Sequence, residues 1–232
     1  MELSPRLRAV ADWVPQGASL ADVGTDHGFL PVWLIQQNRI SRAIAADLRS
    51  GPLESAQRNA ERFGLSDRLS FRLCDGLSGI APGEADTVTI AGMGGETIAG
   101  ILKAAPWTVT EGTLLILQPQ SAFDELRGFL FEYGYNIIRE KIIREGKRLY
   151  NVMEVRAGVS LPMGAGELWA GRNSNDNDPL RGEYLDWIGG ILKRSIAGKR
   201  CAVRQDEAEL KQLEQALQDI EEMKKEWAQC QR

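Results

Sequence analysis

The chain is poor in the residues that build metal and redox sites: its 232 residues hold three cysteines and one histidine. Cys74, Cys201 and Cys230 lie far apart, are odd in number and form no C-x-x-C. Neither a zinc site nor a disulfide framework is expected, and a reducing compartment suits them. No apolar run is long enough to span a bilayer. The opening Met-Glu-Leu-Ser-Pro-Arg lacks the regions of a signal peptide, so a cytoplasmic location with no membrane partner is the expectation. Charge of one sign is also missing. Residues 1–157 carry 17 basic and 19 acidic side chains, residues 158–232 carry 11 and 13, and the net charge is −4. Any nucleic-acid surface must therefore be a local patch. The phosphate-cradling G-x-G-x-x-G is absent as well.

A related turn stands in its place. Residues 19–31 read as a buried strand, a sharp turn with two glycines, and a helix whose first amides face the turn. The turn is spaced Gly24-x-Asp26-x-Gly28, which puts a carboxylate where a diphosphate would lie. Asp26 would repel that anion and attract a cationic ligand, and S-adenosylmethionine carries an ammonium and a sulfonium. The alternative is that Asp22 and Asp26 merely cap a turn and the next helix.

Further along, strands are predicted at about 41–47, 69–74, 86–91 and 113–117, with helices at about 4–14, 29–37, 52–63, 96–104 and 122–132. Segments 135–143 and 148–155 read as a hairpin that adds an antiparallel last strand to an otherwise parallel α/β sheet. Asp47 falls where such sheets place the carboxylate for ribose hydroxyls. Asp75/Gly76, Gly92 to Gly95 and Gln118/Pro119 also end strands, along the edge where open α/β sheets bind ligands. Beyond residue 157 the composition shifts. Residues 162–178 read as a linker. A helix at 180–197 and a second with Leu210, Leu213, Leu217, Ile220, Met223 and Trp227 suit an antiparallel hairpin resembling a coiled coil. Gly189-Gly190 marks either close backbone packing or a bend. The expected domains are 1–157 and 158–232.

The run Ala21-Asp-Val-Gly-Thr-Asp-His-Gly-Phe-Leu-Pro, taken with Ile90-Ala-Gly-Met-Gly-Gly, resembles the bacterial tRNA adenosine-22 N1-methyltransferases. Leu3-Ser-Pro-Arg-Leu, Gly83-Glu-Ala-Asp-Thr-Val-Thr-Ile and Ile116-Leu-Gln-Pro are similar to that family too. The resemblance implies a Rossmann-like class I methyltransferase sheet followed by a helical hairpin. It also implies methyl transfer from S-adenosylmethionine to N1 of an adenosine in tRNA. Gly24, Asp26 and His27 would surround the methionine end, with Asp22 nearby. Asp47 and Leu48 would meet the ribose side, Asp75 and Gly76 the adenine, and Gly92 and Met93 the joint with the target base.

Asp26 and His27 are the catalytic candidates, Asp26 by orienting the base or taking a proton, although holding the ammonium and a structural hydrogen bond are their respective alternatives. Substrate candidates are Phe29, Gly94, Gly95, Gln118, Pro119 and Arg148, with Lys193, Arg200 and Arg204 at helical spacing as a tRNA clamp. Phe29 and Trp33 are candidate stacking rings, with a place in the core the favoured alternative. Many adenine N-methyltransferases carry Asn/Asp-Pro-Pro-aromatic after the fourth strand; this chain has Gly-Met-Gly-Gly, so the usual stacking ring is missing there. No metal is expected, and the oligomeric state is open, with a monomer favoured. An NAD-linked oxidoreductase and a non-catalytic interaction module are the alternatives, and Asp26 argues against the first.

Overall fold

The structure, a computed structural model, describes residues 1–110, 112–172, 178–202 and 206–230. Its strands are β1 (Leu20–Val23), β2 (Ala43–Asp47), β3 (Leu69–Leu73), β4 (Thr87–Met93), β5 (Leu114–Pro119), β6 (Tyr135–Glu145) and β7 (Arg148–Ala157). They form one sheet in the order β3-β2-β1-β4-β5-β7-β6. The first five are parallel, and β7 lies antiparallel between β5 and β6. Every residue of β1, β2 and β5 is buried, as befits strands covered by helices on both faces.

The period-two alternation of strands sorts those residues cleanly. Leu20, Ala43, Ala45 and Ile116 face α1 (Pro5–Trp13), α2 (Phe29–Gln36) and α3 (Ser50–Arg62). Their neighbours Ala21, Ile44, Ala46 and Leu117 face α4 (Gly95–Ala104) and, beyond the short α5 (Trp107–Thr110), α6 (Phe123–Glu132). Helix α1 starts as its sequence dictates: Pro5 takes the first turn, and the Ser4 hydroxyl accepts the Leu7 N–H.

The tail departs from expectation at its root. Residues 162–178 contain a helix, α7 (Ala165–Ala170), followed by α8 (Arg181–Arg200) and α9 (Glu207–Cys230). Arg127, fully buried on α6, donates to Glu140 and to the carbonyls of Leu168 and Trp169 at 2.8 and 3.0 Å. Burial opposes its charge, but the Glu140 carboxylate and Tyr184 together outweigh that and hold its pKa above the ordinary value. Arg181 donates to the carbonyls of Ala170 and Gly171, so the two arginines together tie down the C-terminal end of α7. A third core then joins Phe123, Ile142 and Leu149 to Tyr184, Leu185, Ile188 and Leu192 of α8 and Ala216 and Ile220 of α9. This core spans the expected boundary at residue 157.

Helix α8 runs unbroken through Gly189-Gly190, where an added Cβ would meet Ile220 and Leu217 side chains at 3.7 and 3.8 Å on Gly189 and the Arg194 Nη1 at 3.5 Å on Gly190. The tight approach is at Gly182 instead, whose Cβ would lie 2.5 Å from the Trp227 ring.

Candidate active site

Strand order reverses between β1 and β4, and a cavity of about 460 Å³ opens there at the strands' carboxyl ends. That is the crevice where open α/β sheets bind ligands, and the volume suits a cofactor-sized molecule. Backbone geometry shapes its floor. Gly24 has φ +71°, and its N–H continues the β1–β2 ladder to the Ala46 carbonyl at 2.8 Å. A Cβ on Gly24 would fall 2.1 Å from the Met93 Cε, so the two glycine motifs meet there. Asp26 holds a left-handed φ of +50°, rare without glycine, which presents its carboxylate 69% exposed beside the cavity it lines. Such backbone outliers cluster at ligand sites.

Asp22 is placed differently. It is buried at the end of β1, with Oδ2 accepting from Thr25 and Oδ1 from Thr89, both at 2.7 Å. Burial raises its pKa from 3.8 to about 6, against those two hydroxyls and with help from the nearby Asp47 charge. It lines the cavity but works as an internal brace of the loop.

Asp47 is almost fully buried, its Oδ1 accepting the Arg49 N–H at 2.9 Å. Leu48 beside it is 65% exposed although apolar, and it lines the same cavity with Asp75, Gly76 and Ile101. An apolar side chain standing open beside a carboxylate offers a nucleoside one surface for its base and one for its ribose. At the other end Gly92 leaves space bounded by Arg6 Nη1 and Gln120 Nε2, each 3.6 Å from where its Cβ would be.

Arg6 is a residue that the sequence reading passed over. It lines the cavity, donates to Gln118 Oε1 at 2.7 Å, and stacks over Tyr150 at 5.6 Å. Its place in the Leu3-Ser-Pro-Arg-Leu motif was the available clue.

The other candidates divide between this cavity and positions away from it. Phe29 lines the cavity, and the His27 ring stacks on it at 5.1 Å, with Nε2 3.7 Å from Asp26; His27 itself does not line it. Trp33 packs on the core beneath Arg8. Gln118 is buried, accepting from Arg6 and the Gly92 N–H, so it braces the site from below. Gly95 opens α4 against the next loop, where a Cβ would lie 2.1 Å from the Ala122 carbonyl oxygen. Gly94 caps the same helix. Pro119 and Arg148 line a second cleft. Lys193 and Arg200 pair with Glu221 and Glu214 across the α8–α9 hairpin. Arg204 lies outside the described residues. Among the described residues no His/Cys/Asp/Glu cluster could hold a metal ion, and no helix is long and apolar enough to cross a membrane.

Comparison with known proteins accords with this geometry. Residues 3–153 match the family described as "Methyltransferase domain". A Bacillus subtilis (strain 168) protein named tRNA (adenine(22)-N(1))-methyltransferase is 42% identical over 158 residues, covering 68% of this chain and 66% of that relative, just under two thirds of its length. The crystal structure of the B. subtilis M1A22 tRNA methyltransferase TrmK superposes with a TM-score of 0.84 at 32% identity, covering 96% of this chain and 99% of the other. Structural likeness thus extends through the helical tail. M. capricolum TrmK, solved in complex with S-adenosyl-homocysteine, gives a TM-score of 0.79 at 28% identity over 96% and 97% of the two chains.

Proposed function

Because this chain belongs to the methyltransferase-domain family, we propose that it methylates N1 of adenosine 22 in tRNA, with S-adenosylmethionine as donor. The observation that carries the reading is the acid-rimmed cavity at the β1/β4 crevice, with exposed Leu48 at one end and the open Gly92 seam at the other. Four carboxylates lining it, Asp22, Asp26, Asp47 and Asp75, outnumber its two guanidinium groups, Arg6 and Arg49, which disfavours a diphosphate and favours a cation.

S-adenosylmethionine supplies an electrophilic methyl group: the N1–methyl bond forms as the sulfur–methyl bond breaks, and a neutral thioether leaves. The chain's residues have the simpler task of positioning. Asp26 would hold the ammonium and Arg6 the carboxylate of the methionine part. Asp47 would accept from the ribose hydroxyls, and Leu48 and Ile101 would cover the adenine. His27 would steady Phe29 and Asp26 without touching the reactants. The adenine N1 lone pair lies in the ring plane and attacks without a strong base; the sulfonium's positive charge passes to the methylated ring, from which an amino proton can afterwards leave to solvent. Where the adenosine is stacked in a helix its N1 is engaged in pairing, and the enzyme would then have to extrude the base, at a cost of a few kcal/mol.

The RNA backbone needs cations that are not already spent. Lys193 and Arg200 are engaged across the hairpin, whereas Lys147 and Arg148 at the exposed β6–β7 turn are in no ion pair among the described residues. The turn is therefore the favoured tRNA contact. A tRNA substrate implies a cytoplasmic enzyme. The test is incubation with labelled S-adenosylmethionine and unmodified tRNA, followed by nucleoside mass spectrometry. 1-Methyladenosine is expected, and it should vanish when position 22 of the transcript is changed to guanosine. Label persisting in that transcript would move the target elsewhere, and no 1-methyladenosine at all would end the reading.

A further inference from the structure

The missing aromatic after β4 leaves a question of which residues grip the target base, and a second cleft answers it. A cavity of about 290 Å³ adjoins the first, with Gln120 lining both. Its other walls are Phe123 at the start of α6, Lys147, Arg148 and Tyr150 of the β6–β7 hairpin, and Trp187 of α8. Three aromatic rings and two cations in a space too small for a whole cofactor are the chemistry of a single nucleotide.

The walls are fixed rather than incidental. Phe123 is buried and meets Trp187 edge-on at 5.7 Å. Tyr150 lies under the Arg6 guanidinium, the same group that borders the Gly92 seam, so one side chain separates the two cavities. The Gln120 N–H donates to the Met93 carbonyl at 2.8 Å, which pins that residue at the end of β4. Glu183, an acid that would oppose a phosphate, is neutralised by two hydrogen bonds from Arg144.

We propose that this second cleft is the acceptor pocket: the extruded adenine stacks on Tyr150, the Gln120 amide reads its N6 and N7, and Lys147 and Arg148 hold the flanking phosphates. The inference rests on the tRNA methyltransferase reading above. A glutamine amide pairs with adenine through N6 and N7. That edge leaves N1 on the far side of the amino group, free to face the first cavity. Guanine presents two acceptors on the same edge and does not match an amide's donor and acceptor. The β5–α6 loop and the hairpin thus supply what the Gly-Met-Gly-Gly turn cannot.

The experiment uses the full chain and unmodified tRNA, with S-adenosylmethionine affinity measured alongside. Tyr150→Ala should lower kcat/KM for tRNA by roughly 5- to 150-fold, the equivalent of one base–aromatic stack, beyond any change in cofactor affinity that follows from losing the ring under Arg6. Tyr150→Phe keeps the ring and should recover most of the loss. A transcript with 7-deazaadenosine at position 22 lacks N7. It should be a poorer substrate for the wild type, and it should be no worse than the normal transcript for Gln120→Ala. Full activity in Tyr150→Ala, or an equal 7-deaza penalty in Gln120→Ala, overturns the acceptor-pocket assignment and leaves the methyltransferase reading standing. A wild-type chain that forms no 1-methyladenosine removes both.

Discussion

Asp22→Asn should flatten the chain's stability profile between pH 4 and pH 7.5. In the native state the Asp22 carboxyl is buried, and its pKa rises from 3.8 to about 6. That gap corresponds to about 3 kcal/mol between its two protonation states. A raised native pKa means the folded chain prefers the protonated form, so the contribution is fully present below 3.8 and lost as pH rises through about 6. At pH 7.5 the folded protein therefore carries a buried charge whose cost the Thr25 and Thr89 hydroxyls offset only in part. Asparagine has the same shape and no charge. Its Oδ1 can accept from one hydroxyl, and its amide can donate to the other once that rotor turns. Urea unfolding of both proteins at several pH values, with m held equal, gives the difference directly. Other titrating groups are common to both chains and cancel. The difference should move in favour of the asparagine variant by up to about 3 kcal/mol across the window. Parallel curves would show that Asp22 is not desolvated in the way the structure indicates.

Three further outcomes follow from the geometry. Asp47→Ala should weaken S-adenosylmethionine binding by about 10- to 100-fold, the worth of a hydrogen bond to a charged group; titration calorimetry showing unchanged affinity removes Asp47 from the site. Gly95→Ala forces a Cβ against the Ala122 carbonyl, where backbone cannot yield cheaply, and should cost about 1–3 kcal/mol in a denaturant melt. Arg127→Ala leaves Glu140 short of its buried partner and the Leu168 and Trp169 carbonyls without a donor; a loss of about 3–5 kcal/mol is expected, and a loss under 1 kcal/mol in the same melt would show that the network carries little.

The sheet was legible because its strands obey simple rules. Leu114 to Leu117 is apolar throughout, and each of the first five, parallel strands ends in or runs into a glycine, acid or amide at the edge that became the cavity. Side chains that act across long sequence distances were not legible. Arg6 reaches Gln118 and Tyr150 from the first helix, and no local pattern announces such contacts. The α7 helix is six residues long in a glycine-rich stretch, and its order comes from Arg127 and Arg181, which lie outside it. Lys193 and Arg200 show a different limit: periodic cations on a helix look the same in sequence whether they face RNA or, as they do here, the carboxylates of a neighbouring helix. The close approach sought at Gly189-Gly190 occurs at Gly182 because the bulky partner, Trp227, sits near the far end of α9.

The third core has a consequence for anyone exchanging parts among these proteins. Phe123 packs under Trp187 of the tail, one residue after the Ala122 carbonyl that presses on Gly95, and three after Gln120. A chimaera that grafts a foreign hairpin onto this sheet would loosen the base-reading loop even with every residue of that loop retained. The transplantable unit is the hairpin together with residues 119–127, and a graft limited to residues beyond 157 should fold poorly and turn over slowly for the same mechanical reason.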